Sequence, residues 1–216
     1  MVHRSAPVLT VGVDRSAVER SLRGGELGCP EPGCGGWLAP WGWARARSVR
    51  GVGGRLRPRR AVCTGCRRTH VLLPASVLGR RADEVRVIGA ALLAKAGGWG
   101  HRRVAAWVDR PASTVRGWLR RIGQVAERVL AVLGAVAAEF GTEFVPPAPC
   151  PGAVAAVVEM VGALARTAGR RLGGSCSPWR LATVATGGRL LAPRGPDLAA
   201  GVGTAGNTSW LWAGDG

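Results

Sequence analysis

The sequence predicts a mainly α protein with a small β ribbon near its start, followed by a helix-turn-helix bundle and a C-terminal helical region. Three observations predict this. Residues 28–74 are rich in Gly, Pro, Arg and Trp and hold two close cysteine pairs. From residue 80 onward, apolar residues recur at helical spacing. The positive charge also stops where the first helical unit is expected to end. Of the formal +17, residues 1–122 carry +16, from 23 basic and 7 acidic residues, and residues 123–216 carry +1.

A chain of 216 residues with 47% hydrophobic residues is long and apolar enough to build a core. The charge excludes an acidic solvating protein and points to a polyanionic partner. Every basic residue except Lys95 is Arg, and Tyr is absent. A GC-rich coding bias explains Arg over Lys, but not why the excess ends near Gly123. The opening MVHRSAPVLTVGVDRS has no apolar core of signal-peptide length before Asp14. The most apolar stretch, Ala153 to Ala165, carries Glu159 and is short of the ~20 residues that span a bilayer. The expectation is a cytoplasmic, nucleoid-associated protein with no membrane partner. In that compartment cysteines serve metals more often than disulfides.

Residues 1–27 read as an N-terminal arm with a short amphipathic helix near Asp14 to Leu22. Residues 28–74 read as a zinc ribbon. Cys29 and Cys34 form one close pair and Cys63 and Cys66 the other, 28 residues on. Zinc takes four soft ligands in a tetrahedron, and each pair supplies two thiolates from one tight turn. Gly33, Gly35 and Gly65 let backbone N–H groups turn toward sulfur. Four thiolates close the shell, so the Zn2+ is expected to be structural. His70 is the alternative ligand, and Cys150 and Cys176 are expected to be ordinary free thiols. The segment between the pairs suits two strands that return to the site. It carries Arg45, Arg47, Arg50, Arg55, Arg57, Arg59 and Arg60, which at alternate strand positions make a phosphate-gripping face. Trp37, Trp41 and Trp43 precede them. They can stack on bases, with at least one expected to pack around the ribbon.

Residues 80–122 read as a helix-turn-helix unit. Ala82, Val85, Ile88, Leu92 and Leu93 share a face, and Gly97-Gly98-Trp99-Gly100 breaks the helix. Two short helices then follow, Arg103 to Asp109 and Ala112 to Ile122. Val104, Val108, Val115 and Trp118 fall at buried positions, and Ala105 is small where the helices cross. Asp109 stands where a turn glycine is usual and tolerates that geometry, and Pro111 helps start the second helix. Ser113 and Thr114 can cap that helix or reach phosphate. Ala112, Ser113, Arg116, Gly117 and Arg120 are expected to face the major groove, with Arg116 bidentate to guanine. Arg102, Arg103 and Arg121 are expected at phosphates. Residues 123–192 read as helical: Gln124 to Phe140, a PPAPCPG turn, Ala153 to Arg171, and a helix opened by Ser177-Pro178 and running to about Leu191. The Gly-rich stretch 193–216 reads as a flexible tail.

The order of these features resembles a known family. A ribbon with CP…CGG, an Arg-rich strand pair, CTGCRRTHVLLP, and a helix-turn-helix ending STVRGWLRR are similar to the N-terminal part of bacterial insertion-sequence transposases. They also resemble the small helix-turn-helix proteins associated with such elements. The resemblance covers about residues 28–122 and implies binding to double-stranded DNA. It does not extend to an RNase H-like catalytic domain. After Gly123 only Glu127, Glu139, Glu143, Glu159, Asp197 and Asp215 are acidic, and none lies on a strand series. The expected protein is not an enzyme. It is a transposable-element-associated accessory or truncated transposase. The alternatives are a transcriptional regulator, or an adaptor whose C-terminal helices bind a separate transposase or a second copy.

Overall fold

The computed structural model describes residues 8–196. Among them, six α-helices and a four-stranded sheet make a mixed α/β architecture that is roughly half helical. The strands precede the bundle helices along the chain. The sheet contains β1 (Val8–Val11), β2 (Leu38–Trp43), β5 (Arg59–Cys63) and β6 (Thr69–Pro74), in the order β1-β6-β5-β2. A two-residue hairpin, β3 (Arg47–Ser48) with β4 (Arg55–Leu56), projects between β2 and β5. The two strands expected between the cysteine pairs are β2 and β5, antiparallel, with Leu38 opposite Cys63 and Trp43 opposite Arg59.

The expected N-terminal arm is instead part of this layer. β1 pairs parallel with β6, and α1 (Arg15–Arg23) lies against the sheet. Asp14 caps α1 by accepting the Ser16 N–H at 2.8 Å. Val18 and Leu22 of α1 join Val11, Leu38, Ala61, Cys63 and Leu72 in one buried cluster. Four residues of strand carry too little alternation to be read locally, and it is the partner β6 that makes β1 a strand.

The bundle comprises α2 (Val85–Ala96), α3 (His101–Trp107), α4 (Ala112–Glu139), α5 (Ala153–Leu172) and α6 (Pro178–Ala185). The expected boundary at 122/123 falls inside α4, which runs unbroken for 28 residues. One apolar stripe crosses it: Val115, Trp118, Ile122, Val125, Ala126, Val129, Leu133 and Ala137 are all buried in the same core. That burial outweighs the ~1 kcal/mol that Gly123 costs relative to Ala in a helix. α5 packs on α4 and also on α2 and α6, so the buried apolar residues of both C-terminal helices belong to one core shared by the bundle. In α6, Ser177 is the N-cap and Pro178 opens the first turn. The helix stops at Ala185, not near Leu191, because Gly187 and Gly188 take positive φ (57° and 74°) and reverse the chain. Of the expected tail 193–216, Gly195 and Pro196 are buried, Gly195 against Arg128 and Val125 of α4. Residues 197–216 lie outside the described residues. No described helix is long and apolar enough to cross a membrane.

Sheet and bundle are stitched together. Arg50 bridges to Asp83 and Val77 to Glu84, and the Gly79 N–H donates to the Gly188 carbonyl at 3.3 Å.

Candidate metal centre and nucleic-acid interface

The cysteine pairs sit on two facing turns. The first is closed by the Cys29 N–H to the Gly36 carbonyl (2.8 Å) and the Cys34 N–H to the Glu31 carbonyl (3.1 Å). The second turn, after β5, is closed by the Cys63 N–H to the Arg68 carbonyl (2.9 Å). The Sγ atoms of Cys29, Cys34, Cys63 and Cys66 all lie within 4.8 Å of one another. Cys34 and Cys63 are 3.5 Å apart and Cys29 and Cys66 are 3.8 Å apart, far beyond the ~2.05 Å of a disulfide. The four can hold a single metal ion.

The surroundings of Cys63 suit a thiolate. The N–H groups of Gly65 and Cys66 point at Cys63 Sγ, at 3.3 and 3.4 Å. Burial pushes the Cys63 thiol up, but those donors and the neighbouring thiols bring it down to about 7. Burial pushes the Cys29 thiol well above its ordinary range. Gly36 is indispensable to the geometry. A Cβ there would stand 2.8 Å from both Cys63 Sγ and the Gly65 nitrogen. His70, the alternative ligand, is fully buried and lies outside the four-sulfur group. Its Nε2 is 3.8 Å from Cys29 Sγ, and its Nδ1 has no hydrogen-bond partner among the described residues. Burial lowers its pKa, which keeps the ring neutral. Cys150 and Cys176 stand apart as free thiols.

The arginines expected at DNA divide into two groups. Several serve the fold. Arg59 pairs with Glu19 at 2.7 Å, donates to the Gly42 carbonyl at 2.6 Å, and stacks on Trp43. Arg60 donates to Thr69 Oγ1, Arg47 to the Arg81 carbonyl, and Arg55 to the Ala46 carbonyl. Arg50 reaches Asp83, Arg103 lies over Trp99, and Arg121 donates to Gln124. By contrast, Arg45, Arg57, Arg102, Arg116 and Arg120 are exposed, with no hydrogen bond, ion pair or ring contact to another described residue. The alternating seven-Arg face is therefore not one continuous strand surface. A hairpin and a turn interrupt it between Arg45 and Arg59.

In the α3–α4 unit, Val104, Ala105, Val115 and Trp118 are buried, and Val108 is partly buried. Asp109 has φ 52°, the left-handed turn residue that the missing glycine required. Ala112, Ser113, Arg116 and Arg120 form an exposed stripe along the start of α4, with Gly117 and Thr114 half-buried beside it. Pro111 is the N-cap, and no side chain caps the helix, so neither Ser113 nor Thr114 fills that role.

Two residues that organise this unit carry no individual signal in the sequence. Arg110, in the turn, donates to Asp83, which precedes α2 and is 3% exposed. The one local clue is an acidic pair, Asp83-Glu84, inside the basic run Arg80 to Arg86. Charged residues in such a run are ordinarily solvated, but these are enclosed. No protein-family model, curated protein or solved structure matches this chain.

Proposed function

We propose that this chain is a sequence-specific DNA-binding protein with a structural zinc ribbon, serving a transposable element as an accessory or truncated transposase. Zinc suits the donor set. Bonds of about 2.3 Å to four thiolates in a tetrahedron give sulfur–sulfur edges of ~3.8 Å, the scale of the observed separations. Cys29, Cys34, Cys63 and Cys66 would hold it, and its contribution would be to tie the two turns together.

The observation that carries the DNA reading is the exposed stripe Ala112, Ser113, Arg116 and Arg120 behind a left-handed Asp109 turn. It stands in the half of the chain that bears almost all the net charge. A helix carrying short side chains and two unpaired guanidinium groups fits a major groove, and Arg116 suits the paired acceptors of guanine. Arg45, Arg57 and Arg102 supply phosphate contacts. The transposable-element role rests on the resemblance of residues 28–122 alone. Selection of bound sequences from random duplex tests the reading, together with affinity measured across salt. Enrichment of one motif is expected, with log K falling about 0.9 per phosphate neutralised for each decade of salt. A flat salt response with no enriched motif refutes it.

A further inference from the structure

We propose that the ribbon carries a second nucleic-acid site, a stacking platform on Trp37 and Trp41 for unpaired bases of single-stranded DNA. The three ribbon tryptophans have different fates. Trp43 is used internally, with the Arg15 and Arg59 guanidinium groups 4.3 and 4.6 Å from its ring centre. Trp37 and Trp41 are 54% and 59% exposed. Rings this open leave a π-face on which a base can stack.

Both rings are presented by fixed backbone. The Trp37 N–H donates to Thr64 Oγ1 at 3.3 Å, and its carbonyl accepts the Thr64 N–H at 2.9 Å. Trp37 is thus tied to the residue beside Cys63. Its ring also runs along Gly25, where a Cβ would lie 3.5 Å from Cδ1. Trp41 sits where β2, the edge strand of the sheet, shifts register between Pro40 and Gly42. Such a bulge re-aims a side chain away from the ladder. At strand rise the two positions are about 13 Å apart, so each takes a different base.

Charge selects the occupant. Exposed Arg45 follows β2, and exposed Arg57 precedes Pro58, whose carbonyl accepts the Ala44 N–H at 2.8 Å. Open aromatic rings and exposed guanidinium groups on one ribbon are the combination that holds a single strand, with bases on the rings and phosphates on the cations. In a duplex the bases are stacked on each other and offer no face to these rings. The inference rests on the nucleic-acid reading above, but not on its helix-turn-helix.

Fluorescence anisotropy with the zinc-loaded full chain tests it, using three labelled probes: a twenty-nucleotide oligothymidylate, an abasic strand of equal length and charge, and a mixed-sequence duplex. The oligothymidylate is expected to bind at least about tenfold tighter than the abasic strand at equal salt. Trp37→Ala with Trp41→Ala should abolish that preference and change duplex affinity less than about twofold, whereas Trp37→Phe with Trp41→Phe should keep most of it. Arg116→Ala with Arg120→Ala should weaken the duplex and leave the oligothymidylate unchanged. Equal binding of oligothymidylate and abasic strand by the wild type overturns the inference, even if the alanine variant fails to fold. So does a parallel loss on all probes in an alanine variant that retains its metal. Preference for bases without duplex binding would sustain the platform and refute the helix-turn-helix reading. The converse would do the reverse.

Discussion

Arg110 Nε donates to Asp83 Oδ1 at 2.5 Å, with side chains 13% and 5% exposed. The same carboxylate oxygen is 3.9 Å from the Arg50 guanidinium. Arg110 belongs to the turn between α3 and α4, Arg50 to the ribbon, and Asp83 to the approach to α2. One enclosed carboxylate thus joins ribbon, bundle and turn.

Removing Arg110 should therefore act on stability first. Arg110→Ala leaves Asp83 buried with only the distant Arg50, and the cost should be about 3–5 kcal/mol in urea denaturation. Asp83→Leu combined with Arg110→Met should be less destabilising than Arg110→Ala, since no buried charge is then left alone.

Gly36→Ala should disrupt the metal site without altering any ligand, because the added methyl occupies space held by Cys63 Sγ and the Gly65 nitrogen. Metal content by mass spectrometry should fall well below one ion per chain. Cys63→Ser should release the metal and unfold the ribbon, visible as lost strand signal in circular dichroism.

Gly89→Ala should loosen α6 from α2. A Cβ at Gly89 would stand 2.2 Å from the Trp179 ring. The expected cost is at least ~1–3 kcal/mol, with a rise in the accessibility of Trp179 to fluorescence quenchers. Unchanged melting would contradict the packing of these two helices.

Arg59 and Arg116 should separate cleanly. Arg59→Ala removes the tie from β5 to Glu19 and Trp43 and should cost about 2 kcal/mol of folding stability. Duplex affinity should change little at temperatures where the variant is folded. Arg116→Ala should leave melting unchanged, cost ~1–3 kcal/mol of binding, and relax preference at one base position. If Arg59→Ala weakens DNA without altering stability, the structural assignment is wrong.

Much of the helical region was legible because its apolar period is sustained. α5 and the start of α6 fall close to the sequence reading, since Gly152, Gly173 and Ser177-Pro178 mark their ends. The four cysteines were legible because two close pairs of soft ligands are the donor pattern that a single metal ion takes. β1 was not legible, because its evidence lies in β6, some sixty residues on. Nor was the continuity of α4, where a local breaker, Gly123, competes with a stripe of burial that only the packed bundle supplies.

From the sequence alone came the cysteine quartet, the location of the charge and the helical period, all properties of residue type and spacing. The tertiary structure decided which arginines are spent on the fold and which stand free, and which tryptophans are packed and which open. It also drew Asp83 and Arg110 together across the bundle. Those outcomes depend on solvent access and on partners distant in the chain, and residue spacing carries neither.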